Sequence, residues 1–250
     1  MNFSIVVFSH SEDDFVKAKS RLECHGITKE NIHFCNSKIT TRLAFIKKQP
    51  NRWLLFLDSD CEISPETVVV LKSHAEKKQT EKIFVGIYSN PQWASYLQKV
   101  HNFIANTWLQ SSYEFTTQKR KLLGGAFFIF VDQEKLKNTN EPEQLFWGAE
   151  DKFLSQQLLK ISYDLRCEPK FKVTHYTSKK LNHFIRRAWL QGYNDHFVVN
   201  SDAKEKLEIN YWLSELAKTN LWLTPAVLVH FLILQSGKLF QKVRPQRNKA

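Results

Sequence analysis

The chain opens on an apolar run, Phe3-Ser-Ile-Val-Val-Phe8, the pattern of a strand buried on both faces. Ser11 follows as a helix cap, with acids at 12–14 in the first turn and Phe15, Ala18 and Leu22 on one face; Gly26 ends that helix. Ile32–Cys35 reads as a short second strand, Thr40–Lys48 as a helix closed by Pro50, and Trp53–Leu57 as another buried strand. Ser64-Pro65 is a helix start, a cap followed by proline at the first helical position. Lys82–Tyr88 reads as a strand. Pro91–Ser111 reads as a helix with Trp93, Leu97, Val100, Ile104 and Trp108 at three-to-four spacing. Gly125–Val131 is a further strand, Glu150–Ile161 a helix, and Lys172–Thr174 the end of a short strand.

Strands alternating with helices in units of roughly 25 to 30 residues predict an α/β fold with a mainly parallel sheet. Such sheets bind ligands at the carboxyl ends of their strands, so the residues after Phe8, Cys35 and Leu57 are the ones to inspect. Beyond about residue 175 the pattern turns helical and basic. Neither a G-x-G-x-x-G nor a G-x-x-x-x-G-K-[ST] stretch occurs, so the dinucleotide and P-loop readings lack their phosphate cradles.

The 250 residues, 42% hydrophobic and 24% charged, suit a folded domain and exclude disorder, collagen and coiled coil as overall descriptions. Only seven are glycine, which makes each glycine worth placing. The net charge of +11 is uneven: residues 169–250 hold fourteen basic and five acidic side chains, a net +9, leaving +2 for the rest. A basic C-terminal third suggests an anionic partner there or a solvated, frayed tail. Cys24, Cys35, Cys61 and Cys167 show no metal-type pairing, and the N-terminus lacks the features of a signal peptide, so a cytoplasmic protein with reduced thiols is expected. The longest apolar stretch, Leu221–Leu234, falls short of the ~18 to 20 residues that cross a bilayer. With the basic residues after it, it reads either as a peripheral anchor at an anionic membrane surface or as a buried terminal helix.

Four places carry chemistry. Asp58-Ser59-Asp60 directly follows a buried strand, where two carboxylates either share a hard divalent cation or form a solvated turn. Gly124 and Gly125 stand together at a strand start, from a tight bend or from the close approach of a ligand. In Phe146-Trp-Gly-Ala-Glu-Asp151 two acids open a helix; they suit its dipole, and one is equally placed as a general base for a sugar hydroxyl. His175 is either structural or a third ligand beside Asp58 and Asp60.

The order strand–D-S-D, then G-G-A, then W-G-A-E-D, then a histidine about two dozen residues on, resembles a family 2 glycosyltransferase of the GT-A fold, over about residues 3–178. The W-G-x-E-D form is also similar to the β-1,4-galactosyltransferase group. The resemblance implies an inverting, metal-dependent enzyme, with a GT-A catalytic domain at 1–178 and a helical basic region at 179–250 that meets the acceptor or a membrane. It implies that Ser9 and His10 lie by the base and ribose, and that Asn36 stands where the family has an Asp contacting the base. Arg42 matches the Arg of the family's A-R-N element. Asp58 and Ser59 would lie by the ribose, with Asp58, Asp60 and His175 as metal ligands. Gly124, Gly125 and Trp147 would face the donor sugar or acceptor. Glu150 would bind the acceptor, and Asp151 would be the base.

Two positions depart from the family pattern: Asn36 replaces the acid and Leu43 replaces the Asn after Arg42. The Q-x-x-R-W element of processive synthases is absent, which points to transfer of single residues. The expected partners are a nucleoside-diphosphate sugar, a UDP-sugar first, with Mn²⁺ or Mg²⁺ and a glycan or lipid-linked acceptor. A catalytically inactive sugar-nucleotide binder and a nucleic-acid-binding module are the alternatives. Nucleic acid is not an expected partner, because most aromatics sit at core spacing rather than interleaved with basic residues.

Overall fold

The computed structural model describes residues 3–37, 40–114, 121–140, 150–198, 214–218 and 221–243. Seven strands form one sheet: β1 Phe3–Ser9, β2 Ile32–Asn36, β3 Trp53–Asp58, β4 Cys61–Ile63, β5 Lys82–Ser89, β6 Ala126–Phe130 and β7 Asp164–His175. Their order is β2-β1-β3-β6-β5-β7-β4. Five run in one direction; β6 and β4 pair antiparallel to their neighbours. The expected α/β architecture is therefore present. Alternate residues of β1 and β3 feed two apolar clusters: Ile5, Val7, Leu55 and Leu57 on one face of the sheet, Val6, Phe8, Leu54 and Phe56 on the other.

Helices α1 Glu12–Cys24, α2 Arg42–Lys47 and α3 Pro65–Glu76 begin where their caps predict. Ser11, Thr41 and Ser64 each accept a hydrogen bond from the backbone N–H three residues on. Helix α4, Tyr96–Glu114, starts later than the apolar spacing implies. The reason is a capping box: Gln98 N–H donates to Ser95 Oγ (3.4 Å), and Ser95 N–H to Gln98 Oε1 (2.9 Å). Trp93 consequently lies outside the helix and is 84% exposed. Helices α5 Gln133–Leu136 and α6 Glu150–Lys160 follow.

β7 is far longer than the short strand the sequence reveals. Pro169 interrupts its pattern, and the structure accommodates it at an irregularity where Val85 pairs with Cys167 but Ile87 with Lys172. β4 is too short for any periodicity to show.

The last elements are α7 Leu181–Val198, a 3-10 turn Leu221–Leu223, and α8 Thr224–Val243. A third apolar cluster joins Val100 and Ile104 of α4 to Phe184, Leu223 and Val227. α7 and α8 touch backbone to backbone. A Cβ on Gly192 would fall on the Leu234 carbonyl, and one on Gly237 on the Trp189 carbonyl. The apolar stretch read as ending at Leu234 continues through this glycine, so Leu221–Phe240 is long and apolar enough to cross a membrane, with 28% of it buried. Leu228, Leu232 and Leu239 are 58%, 70% and 62% exposed, while His230 and Leu234 on the other side of α8 are buried.

Candidate active site

A cavity of about 970 Å³ opens at the carboxyl ends of β1 and β3 and runs to the groove between α4, α7 and α8. At its β1 end Ser9 is buried, and its hydroxyl donates to the Ser11 carbonyl (2.9 Å). His10 Nδ1 meets the Ser37 hydroxyl at 2.6 Å. Ser9, His10 and Ser37 all line the cavity. Asn36 pairs with Ser9 in the sheet but does not line the cavity; Ser37 takes that place.

Arg42 is the first residue of α2. Its N–H is one of the donors that a helix start leaves free, and Glu150 Oε1 accepts it at 2.6 Å. Its guanidinium lies flat over the Phe8 ring, 4.0 Å from the centroid. It bonds Asp58 Oδ1, and its Nη1 stands 3.5 Å from Glu150 Oε2. Burial pushes the carboxyls of both Asp58 and Glu150 up, with Arg42 pulling against it. Three segments 16 and 108 residues apart in sequence are thus tied by one buried cation. The other Asp58 oxygen explains Gly125: a Cβ there would fall on Oδ2. Gly125 N–H instead donates to the Tyr88 hydroxyl (2.5 Å), and Gly124 has φ +64°. With its Oδ1 on Arg42, Asp58, expected as a metal ligand with Asp60 and His175, acts as an anchor in this arrangement and lies outside the cluster of metal-type donor atoms found among the described residues.

That cluster consists of Asp60, Cys61 and His175, whose donor atoms lie within 4.8 Å of one another. β4 pairs with β7 so that Cys61 is opposite His175. The His175 ring stacks on Tyr88 at 4.6 Å. Its Nδ1 lies 2.7 Å from Asn102 Oδ1, while the Asn102 amide nitrogen donates to the carbonyls of Ser89 and His175. Asn102 therefore presents its oxygen, and Nδ1 carries the proton. Nε2 then faces Asp60 Oδ2 at 3.3 Å. Two acceptors at that distance need a cation between them, a proton or a metal ion. Burial raises the Asp60 carboxyl, but His175 and then Arg187 outweigh it and hold it at about 2. Asp60 and His175, a hard oxygen and an imidazole fixed by Asn102, fit a divalent cation. Burial and then the two acids keep the Cys61 thiol protonated.

Asp151, at the start of α6, and Lys152 line the same cavity, so the structure brings Asp58, Ser59, Asp60, Gly124, Gly125, Glu150, Asp151 and His175 together. Trp147 lies outside the described residues. Arg187 ends the basic segment Lys170–Arg187 expected to assist the leaving group, whereas Tyr88, Asn102, His101 and His230 were not among the expected site residues. Of these, only His230 left a signal, as an imidazole inside an otherwise apolar run.

No protein-family model matches the chain, and no curated protein matches it. Among solved structures, residues 1–349 of TarS from S. aureus are 13% identical, with 96% of this chain and 89% of that one covered and a TM-score of 0.49. The longer TarS chain is covered over 54% of its length, at 12% identity and a TM-score of 0.47. The mannosyltransferase PcManGT from Pyrobaculum calidifontis, in complex with GDP-Man and Mn²⁺, is 11% identical, with 94% and 75% covered and a TM-score of 0.49. These likenesses are distant, and the reading that follows stands on the side chains of the cavity.

Proposed function

We propose that the chain is a family 2, GT-A glycosyltransferase that moves one sugar, with inversion, from a nucleoside-diphosphate sugar to a hydroxyl of a glycan or lipid-linked acceptor. The carrying observation is the Asp60 Oδ2–His175 Nε2 pair, a cation-demanding site at the carboxyl end of the sheet, in one cavity with Asp151. Ser9 and His10 flank the base and ribose, with UDP-sugars the first donors to test. Arg42 holds Asp58 and Glu150 in register. A divalent cation on Asp60 and His175 supplies charge neutralisation for the leaving diphosphate. Asp151 takes the acceptor hydroxyl's proton as that oxygen bonds to the anomeric carbon; the bond to the diphosphate breaks, and its electron pair leaves with the diphosphate. Arg187, which lines the same cavity and lowers the Asp60 carboxyl, faces the same leaving group.

α8 carries Leu228, Val229, Leu232 and Leu239 outward, and Lys179, Lys180 and Arg186 are exposed close to the start of α7. An apolar helix face beside excess positive charge supports docking on an anionic membrane from the cytoplasmic side, with a lipid-linked acceptor.

The test is a melting-temperature panel of nucleotide sugars with and without Mn²⁺, followed by turnover of the donor that binds. A ligand at a hundred times its Kd stabilises by about 2.7 kcal/mol. The donor should raise the melting temperature only with the metal, and Asp151→Asn should keep that shift while losing transfer. Full turnover in Asp151→Asn, or no metal-dependent shift with any nucleotide sugar, refutes the assignment.

A further inference from the structure

The cavity continues past the metal-type pair into a groove that this assignment leaves unused. There it is lined by His101, Ile104 and Trp108 of α4, Arg187 and Gln191 of α7, and His230 of α8. His230 is 1% and His101 6% exposed. Neither ring nitrogen of His230, nor Nε2 of His101, has a hydrogen-bond partner among the described residues. Buried polar atoms left in that condition are rare, and each one costs stability. His230 interrupts an apolar helix at a position where leucine would pack. Burial, and then Arg187, hold its imidazole down at about 4, so it is neutral near pH 7. A neutral imidazole presents one donor and one acceptor, the complement of a sugar hydroxyl. Trp108, Ile104 and Leu234 supply the apolar surface on which the C–H face of a sugar ring rests.

We propose that the groove between α4, α7 and α8 is the subsite for the acceptor's terminal sugar, an uncharged ring whose hydroxyls are bound by His230 and His101 and whose face lies against Trp108. This deepens the glycosyl-transfer reading and rests on it. It makes the C-terminal helices part of the active site, with α8 presenting His230 inward and leucines outward. Arg187 marks the boundary between this sugar end and the diphosphate end.

The test uses saturation-transfer NMR on the full chain with diamagnetic Mg²⁺ and the nucleotide that binds. The probes are the methyl glycosides of glucose, galactose, mannose and N-acetylglucosamine, with glucose 1-phosphate as the anionic comparison. The variants are His230→Leu and Ala105→Phe, the second filling the groove from α4. At least one glycoside should show transfer to its ring protons in the wild type. Both variants should weaken it by about tenfold or more, a difference of ~1.4 kcal/mol, with nucleotide affinity unchanged. His230→Leu should melt at or above the wild type, because it removes two buried unpartnered nitrogens, whereas a structural histidine would lower the melting temperature. The subsite is overturned if a wild type that holds nucleotide gives transfer to no glycoside or only to the phosphate. It is also overturned if both variants retain the signal, or if His230→Leu melts below the wild type. A wild type that holds no nucleotide refutes the parent assignment instead.

Discussion

Arg42→Met is the sharpest test of how the site is held together. Methionine keeps an unbranched chain over Phe8 but removes the guanidinium. Asp58 and Glu150 then face each other with side chains only 29% and 16% exposed and no buried cation between them. Removing one partner of a buried ion pair costs about 3 to 5 kcal/mol, because the remaining charge is left uncompensated. For a domain of this size that is a fall of roughly 6 to 20 °C in melting temperature.

The pH dependence separates this from simple loss of packing. Both carboxyls are pushed up in the folded protein, chiefly by burial, and Arg42 restrains the shift. A carboxyl raised on folding contributes stability below its unfolded value, near 3.9 for Asp and 4.3 for Glu, and loses it as pH rises through the folded value. Without Arg42 both folded values move higher, so the stability gap between wild type and variant should be small near pH 4. It should widen towards pH 7, by at most about 1.4 kcal/mol per pH unit for each group. Urea unfolding at four or five pH values measures it. Arg42→Met/Asp58→Asn, which removes one stranded charge, should recover part of the loss. A gap under ~1 kcal/mol at pH 7, typical of an exposed pair, or a gap flat with pH, refutes the reasoning.

Gly125→Ala places a methyl on the Asp58 carboxylate and beside the Tyr88 hydroxyl; it should cost about 1 to 3 kcal/mol and weaken metal-dependent nucleotide binding, read by urea unfolding and calorimetry. Asp60, lowered to about 2 in the folded protein, contributes stability that is present above its unfolded value and lost as pH falls through about 2. Melting temperatures from pH 5 to 2 should therefore fall more steeply in the wild type than in Asp60→Asn, and equal slopes would contradict the His175 pairing. Leu228→Ser/Leu232→Ser, changing two exposed residues of α8, should abolish flotation with phosphatidylglycerol vesicles while leaving the melting temperature within the small range of surface substitutions; undiminished flotation removes the membrane reading.

Much of the part of the chain that builds the sheet was legible because its elements obey local rules. Buried runs mark β1 and β3, and hydroxyl caps mark α1 and α3. The acids that follow β3 and open α6 stand where those elements end, so their convergence follows from the topology. What was not legible is what long-range pairing creates. β7 alternates irregularly around Pro169 and is held chiefly by pairing with β5, and β4, of three residues, exists because β7 supplies its partners. The same pairing sets Cys61 opposite His175 and lets Asn102, from a helix whose start was misplaced, fix the imidazole. Asn36 shows the reverse error. A position beside Ser9 in the strand order did not become a position in the cavity, because Ser37, one residue on, turns inward to His10.

The charge distribution sharpens in the same way. By sequence, the positive surplus sits in the last third of the chain and suggests an anionic partner there. Yet among the described residues the cavity is balanced: Asp14, Asp58, Asp60, Glu150 and Asp151 face Lys17, Arg21, Arg42, Lys152 and Arg187. Of the described basic side chains beyond residue 169, only Arg187 lines it, while Lys179, Lys180 and Arg186 are exposed elsewhere. A balanced lining gives a diphosphate little net attraction, so on the proposed function its charge would be met by a cation that binds with it at the Asp60–His175 pair. The surplus outside has a different use. Exposed Lys179, Lys180 and Arg186 stand at or just before the start of α7, which packs on α8, and on the proposed membrane reading they would add to apolar burial by the outward leucines at an anionic surface. On the proposed function, a metal requirement inside the cavity and membrane affinity outside it are both expected from one partition of charge.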